Sequence, residues 1–371
     1  MVRYGERYRY GQFKSSRVVA GYNIELPNKP NKQDIPNVRY LRKNQKFQIP
    51  DQSIVKEINR KMKAKEKLTD DENGFISEEW RRRKEGYWFF NNGYLEYITG
   101  LHYFYLSNWQ FPVVKMMDRN GKKIPVRQSG FPEFCDADRD YFYIWEHCVL
   151  DENCFGMVHV TNRRQGKTEK GNCTNYEVVT RTRDSMGAIQ SKTNGDASEV
   201  FKKLVGSWQK MPEYYKPVDT GDTRPSASLR FFEPAKRSTK IQAKSYSVVL
   251  NSEIFFTNSK EEALDGLGLI FVMHDECGKT KPKEADVAIR WRIVRECLAV
   301  GSYITGKALL TTTVEEMEKN GGEQLKEIWD DLEDDSIPYQ GAAPYIFIIK
   351  NKNIGRFIRG FDEYSKDDLK T

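Results

Sequence analysis

An apolar run, Phe155-Gly156-Met157-Val158-His159-Val160, passes directly into Thr161-Asn162-Arg163-Arg164-Gln165-Gly166-Lys167-Thr168, and the next proline is Pro212. No other feature restricts the fold as much, because it requires a strand, a tight loop and a helix in immediate succession. Such a loop can wrap backbone N–H groups around a chain of phosphates, and Gly166, lacking a Cβ, permits the tight path. Lys167 would then bring a positive charge to the β- and γ-phosphates, and Thr168 a hydroxyl to Mg²⁺. The usual pattern opens with glycine five positions before the Gly-Lys pair, where this chain has Thr161. The loop is therefore a deviant one. Gly171 and the β-branched pair Val178-Val179 also make the following helix a mediocre one by propensity.

Gly-Lys-Thr occurs again at Gly278-Lys279-Thr280, which runs into Lys281-Pro282. Proline there denies the second copy a regular helix whose N-terminus could face a phosphate. The first copy is the candidate phosphate loop. A second signal is Leu269-Ile270-Phe271-Val272-Met273-His274-Asp275-Glu276, an apolar strand ending in two acids. Many buried strands end in solvated acids, but one downstream of a strand–loop–helix Gly-Lys-Thr has a sharper reading. Asp275 would hold Mg²⁺ through water, and Glu276 would orient and deprotonate an attacking water. A third strand, Ala308-Leu309-Leu310, runs into Thr311-Thr312-Thr313. Threonine suits any strand, but here its hydroxyls would lie beside the phosphates and sense their loss.

Strand and helix signals alternate from about residue 131 to 332. They predict an α/β fold, a mostly parallel sheet flanked by helices, and the phosphate loop with the acidic strand makes it resemble the P-loop NTPase kind (ASCE, RecA-like). The 371 residues suit more than one minimal unit. They divide into an arm (1–50), an N-terminal subdomain (51–130), the P-loop domain (131–340) and a linker or the start of a further domain (341–371). In the arm, Arg3, Arg7, Arg9, Lys14 and Arg17 interleave with Tyr4, Tyr8, Tyr10 and Phe13 against a single Glu6. Such a mix can hold phosphates and stack bases. An arm packed on its own protein or on a neighbour is the plainer reading. Ser53 is a candidate cap for a helix reaching about residue 67, with Ile54, Ile58 and Met62 on one face and Asp70-Asp71-Glu72-Asn73-Gly74 ending it. The aromatic block from Tyr87 to Trp109 reads as core before it reads as a base-stacking platform. Met117 to Gly121 reads as a hairpin turn. Residues 315–335 are strongly acidic and read as a solvated helix face.

Composition narrows the class further. Apolar residues are 38% of the chain, enough for a sizeable core, and the net charge of +7 suits a polyanionic partner without requiring one. No run approaches the roughly 18 apolar residues of a membrane span, and the first residues are too polar for a signal peptide. The 6 cysteines form no C-x-x-C pair, and His147-Cys148 with Cys154 lacks zinc-finger spacing. These features point to a reducing cytoplasm and to no membrane.

The loop with an internal arginine and no leading glycine, the Val272-Met273-His274-Asp275-Glu276 strand and the Thr311-Thr312-Thr313 strand followed by Gly321-Gly322 resemble one family. It is the large terminase subunit of tailed bacteriophages, the ATP-driven motor that packages DNA. The resemblance covers roughly residues 86–335. It implies ATP and Mg²⁺ as ligands, residues 161–168 around the nucleotide, Thr168 and Asp275 at the metal, and Glu276 and Lys167 as catalytic groups. Arg163 would act on the γ-phosphate, with Arg164 as the alternative, and Thr311, Thr312 and Thr313 would couple hydrolysis to movement. The stretch Gly130-Phe131-Pro132-Glu133-Phe134 with Asp138-Arg139-Asp140 occupies the place of the family's adenine contacts. Implied partners are double-stranded DNA, the portal protein and the small terminase subunit. The implied form is a ring on the procapsid portal, in the host bacterial cytoplasm, with a monomer in isolation. Full-length members add a carboxylate-rich nuclease, for which the residues after Pro338 are too few. No nuclease activity is expected of this chain. A helicase-like motor and a nucleotide-binding module without turnover are the alternatives.

Overall fold

The computed structural model describes residues 15–19, 22–27, 37–38, 50–91, 94–119, 121–161, 165–233, 249–313 and 322–333. Most of the basic arm, Asn162, Arg163, Arg164, Gly321 and the polar residues after 333 lie outside the described residues, as do the expectations that fall on them.

Strands β1 (Ser15–Val19) and β2 (Tyr22–Leu26) pair antiparallel, and β3 (Asn37–Val38) joins a later hairpin. Helix α1 (Gln52–Ala64) is capped by Asp51, whose carboxylate accepts the Ser53 N–H; Ser53 itself is not the cap. Val55, Ile58 and Met62 form its buried face, while Ile54 is exposed. The acidic run 70–74 does not end this helix. Lys65 does, in a left-handed conformation, and the acids open α2 (Asp70–Glu85) behind a Thr69–Glu72 capping box. Carboxylates in a first turn face the positive end of the helix dipole, so the same residues that read as a breaker stabilise a start.

Next come β4 (Tyr87–Asn91), β5 (Tyr94–Ile98), the buried α3 (Gly100–Asn108), and a long hairpin of β6 (Phe111–Arg119) and β7 (Lys122–Gly130). The turn thus falls later than expected, with both strands extended. Trp88, Phe89, Tyr97, Tyr103, Phe104, Tyr105 and Trp109 are all buried. Helix α4 (Asp136–Leu150) then leads into the sheet.

That sheet contains β8 (Gly156–Thr161), β9 (Met186–Ser191), β10 (Ser228–Phe231), β11 (Ser252–Phe256), β12 (Phe271–Asp275) and β15 (Lys307–Thr313). Its connections are α5 (Lys167–Thr180), α6 (Asn194–Gln209), α7 (Val287–Cys297) and the small ribbon of β13 (Ala299–Val300) and β14 (Tyr303–Ile304), with α8 (Gly322–Glu333) after β15. Strand order is β10-β11-β9-β12-β15-β8, parallel except for β10 against β11. Strand β15 therefore lies between the strand that leads to the loop and the strand that ends in acids.

Alternation along these strands divides the core. Met157, Ile189, Met273 and Leu309 join the cluster that contains α5, α6 and the N-terminal aromatics. Val158, Ala188, Val272, Ala308 and Leu310 join the cluster under α7 and α8. Both faces are covered, as a parallel sheet requires. Helix α5 is continuous despite its composition, because tertiary packing overrides propensity. Gly171 lies close against the sheet: a Cβ would stand 2.5 Å from Met273 Cε and 3.2 Å from Leu309 Cδ2, so the Met273 side chain would have to shift. Fully buried Arg83 of α2 pairs with Glu177 of α5, donates to Thr180 Oγ1 at 2.8 Å and lies 4.1 Å over the Phe104 ring. This tie fixes the N-terminal helices to the helix that follows the loop. Among the described residues, no helix is long and apolar enough to cross a membrane.

Candidate nucleotide site

The C-terminal ends of β8, β12 and β15 and the start of α5 converge, as ligand sites do in open α/β sheets. Gly166 caps α5 with φ 69°, a left-handed conformation that a side chain would strain. Its absent Cβ would also stand 3.3 Å from the Tyr105 hydroxyl. Lys167 opens the helix, and its ammonium lies 2.6 Å from Glu276 Oε1. The Thr168 hydroxyl donates to Asp275 Oδ2 at 3.1 Å, and that of Thr311 to Asp275 Oδ1 at 2.8 Å. Thr313 donates to Glu276 Oε2 from its hydroxyl at 3.2 Å and from its backbone N–H at 3.3 Å. The two acids therefore touch both the loop and the threonine strand, and so link all three motifs found in the sequence.

The two carboxylates differ in character. Burial raises the Asp275 carboxyl above its ordinary value, with Thr311, Lys167 and Thr168 pulling against it. Burial would raise Glu276 too, but Lys167 and then Lys279 outweigh it and hold Glu276 below the ordinary range. Two lysines thus hold Glu276 toward its ionised form, whereas Asp275 is a desolvated acid bounded by hydroxyls. Asp275 and Thr168 offer hard oxygens side by side, a donor set that fits Mg²⁺ and suits a softer metal poorly. His274, directly before Asp275, is fully buried, and burial followed by the Arg290 charge holds it well below its usual range. It is a neutral core residue.

Thr161 is buried at the end of β8, and Gln165 is exposed in the loop. Thr312 alternates away from the carboxylates, toward Gly278. Phe134 stacks on His102 at 5.7 Å, Arg139 pairs with Glu96 at 2.9 Å, and Asp138 pairs with Lys170 of α5 at 2.5 Å. The 131–140 stretch is thereby fastened to the helix that carries Lys167.

Sequence reasoning missed Lys279. The second Gly-Lys-Thr indeed forms no helix start, only a short 3₁₀ turn, Cys277–Lys279. Yet Lys279 Nζ lies 3.2 Å from Glu276 Oε2. The available signal was the spacing of three between an acid and a base, which one turn brings together.

No protein-family model matches the chain, and no curated protein matches it. Among solved structures the chain is similar to the large terminase ATPase domain of Thermus phage P74-26. That domain is 16% identical, with 57% of this chain and 81% of that one covered and a TM-score of 0.35. The chain is also similar to the large terminase of bacteriophage HK97, 12% identical, with 64% of this chain and 48% of that one covered and a TM-score of 0.40. It spans about half the length of the HK97 protein.

Proposed function

We propose that this chain hydrolyses ATP and that the hydrolysis drives double-stranded viral DNA into a procapsid. One observation carries the ATPase reading: Lys167, Thr168, Asp275, Glu276, Thr311 and Thr313 meet through direct contacts at one end of a parallel sheet. The start of α5 and Lys167 would hold the β- and γ-phosphates. Mg²⁺, held by Thr168 and Asp275, would neutralise charge on the phosphate oxygens. Glu276 accepts a proton from water as the water oxygen attacks the γ-phosphorus, and the bond to the bridging oxygen breaks to release ADP. Thr313, hydrogen-bonded to Glu276, would relay that change into β15 and onward.

The packaging step rests on the sequence motifs that resemble large terminase subunits. It brings with it the portal protein and small terminase subunit as partners, a ring on the portal and the host bacterial cytoplasm. An ionised glutamate against the lysine of the loop favours turnover over simple binding, since a pure binder has no use for a water-activating carboxylate.

The test is steady-state ATP hydrolysis by the wild type and Lys167→Ala, with and without double-stranded DNA. Turnover that disappears in the variant and rises with DNA in the wild type, without strand separation, supports the motor. Strand separation would indicate a helicase. Tight nucleotide binding without turnover in the wild type would replace the enzyme reading with a binding module.

A further inference from the structure

Glu276 is one of the few described non-glycine residues in the left-handed region, with φ 55° and ψ 37°. Such a conformation is strained for a residue with a side chain and persists only where its surroundings enforce it. The enforcement comes from the turn that follows. The Lys279 backbone N–H donates to the Glu276 carbonyl at 3.0 Å, and its ammonium reaches Glu276 Oε2 at 3.2 Å. Lys279 thus closes on both the main chain and the side chain of one residue.

The turn is anchored on several sides. Cys277 is fully buried in the core beneath α7 and α8. A Cβ on Gly278 would stand 3.0 Å from both Thr312 Oγ1 and Leu325 Cδ2, so the main chain sits tight between β15 and α8. Thr280 is fully buried, and its hydroxyl accepts from Arg290 of α7 at 3.4 Å. Lys279 itself is only 14% exposed at its side chain.

The contacts divide the carboxylate. Oε1 faces Lys167, whereas Oε2 faces Lys279 and Thr313. We propose that Lys279 is the positioning residue of Glu276: when phosphate draws the Lys167 ammonium away, Lys279 keeps Oε2 fixed and leaves Oε1 aimed at water. The inference rests on the reading of Glu276 as the base. It assigns the second Gly-Lys-Thr a use unrelated to phosphate: glycine for the close approach, lysine for the carboxylate, threonine for the anchor.

The experiment compares Lys279→Met, Lys279→Ala and Lys279→Arg in the full chain, measuring kcat and KM for MgATP, with a thermal melt of each. Lys279→Met keeps the aliphatic stem and guards against a variant that fails to fold. A carboxylate left to wander from its attack geometry loses rate on the order of 100-fold for an ångström of displacement. The expected result for Met and Ala is a kcat lower by about 10- to 100-fold with KM within about twofold, since only the chemical step loses support. Arginine should return most of the rate. Three results would overturn the proposal: unchanged kcat in Lys279→Met, a KM rising in step with the loss, or an arginine variant as slow as alanine while equally folded. If the wild type does not hydrolyse ATP, or hydrolyses it equally well with Lys167→Ala, the ATPase reading falls and takes this inference with it. Normal wild-type turnover with an indifferent Lys279 removes the inference alone.

Discussion

Replacing Glu276 by glutamine should make the protein bind ATP more tightly while stopping its turnover. In the structure the ammonium of Lys167 is already engaged, 2.6 Å from Glu276 Oε1, with side chains 8% and 21% exposed. A phosphate that takes Lys167 must therefore displace a carboxylate. Exposed ion pairs contribute about 0–1 kcal/mol, and breaking a fully buried one costs about 3–5 kcal/mol. This pair lies between those limits, and Lys279 remains beside Glu276 after Lys167 leaves, so the cost is near the lower end, about 1–2 kcal/mol. Glutamine preserves the shape and removes the competition. At 1.4 kcal/mol per factor of ten, MgATP should bind about 5- to 30-fold more tightly. The same change leaves the Lys167 and Lys279 charges without the carboxylate between them, so the variant should melt earlier by itself and recover with MgATP. Titration with a fluorescent ATP analogue gives the affinity, and single-turnover hydrolysis gives the rate. A Glu276→Gln protein that binds no more tightly than the wild type and still turns over would refute both the competition and the assignment of the base.

Two further outcomes follow from packing and burial. Gly171→Ala gains helix propensity of up to about 1 kcal/mol. Its Cβ, 2.5 Å from Met273 Cε, should nevertheless cost a net ~1–3 kcal/mol in chemical denaturation. A variant as stable as the wild type would mean that the flexible Met273 side chain moves aside without net cost and that packing does not require the glycine. Glu146 of α4 is pushed up to about 7 by burial, with the Arg181 charge pulling against it. The folded state therefore holds this proton more tightly than the unfolded chain, so its contribution is full below about pH 4.5 and is lost as pH rises toward 7. Glu146→Gln should leave stability unchanged at pH 4 and raise it by about 1–2 kcal/mol at pH 8, a shift discounted for the partial exposure of the side chain. Melting curves at the two pH values check it, and an equal gain at both would show that charge is not the cause.

The three site motifs were legible because each joins an element type to a chemical residue at its end. The apolar run before Gly166-Lys167-Thr168, the one before Asp275-Glu276 and the one through Thr311 are all strands, and all three end at the site. Their spatial order was not legible. Strand composition records burial rather than neighbours, so nothing in residues 307–313 announces a place between β8 and β12. The helix boundary near residue 70 was not legible because acidic residues close to a glycine suit a stop and a dipole-stabilised start equally well. The proline after Lys279-Thr280-Lys281 rules out a phosphate loop there, yet it bears on only one possible job of Lys279. A short turn can bring a lysine onto the carboxylate three residues earlier without any helix, and no periodic signal marks such a turn.

The run Thr311-Thr312-Thr313 looks redundant in composition and is not redundant in the sheet. Successive residues of a strand face opposite sides. Thr311 and Thr313 serve the two carboxylates, while Thr312 packs on the turn that holds Lys279. A slip of β15 by one residue would withdraw both hydroxyls from the acids in the same movement and send them to the opposite face. The site is thus set by register as much as by side-chain identity: a strand held on both edges by parallel neighbours cannot drift out of phase, so both acids keep their hydroxyls together.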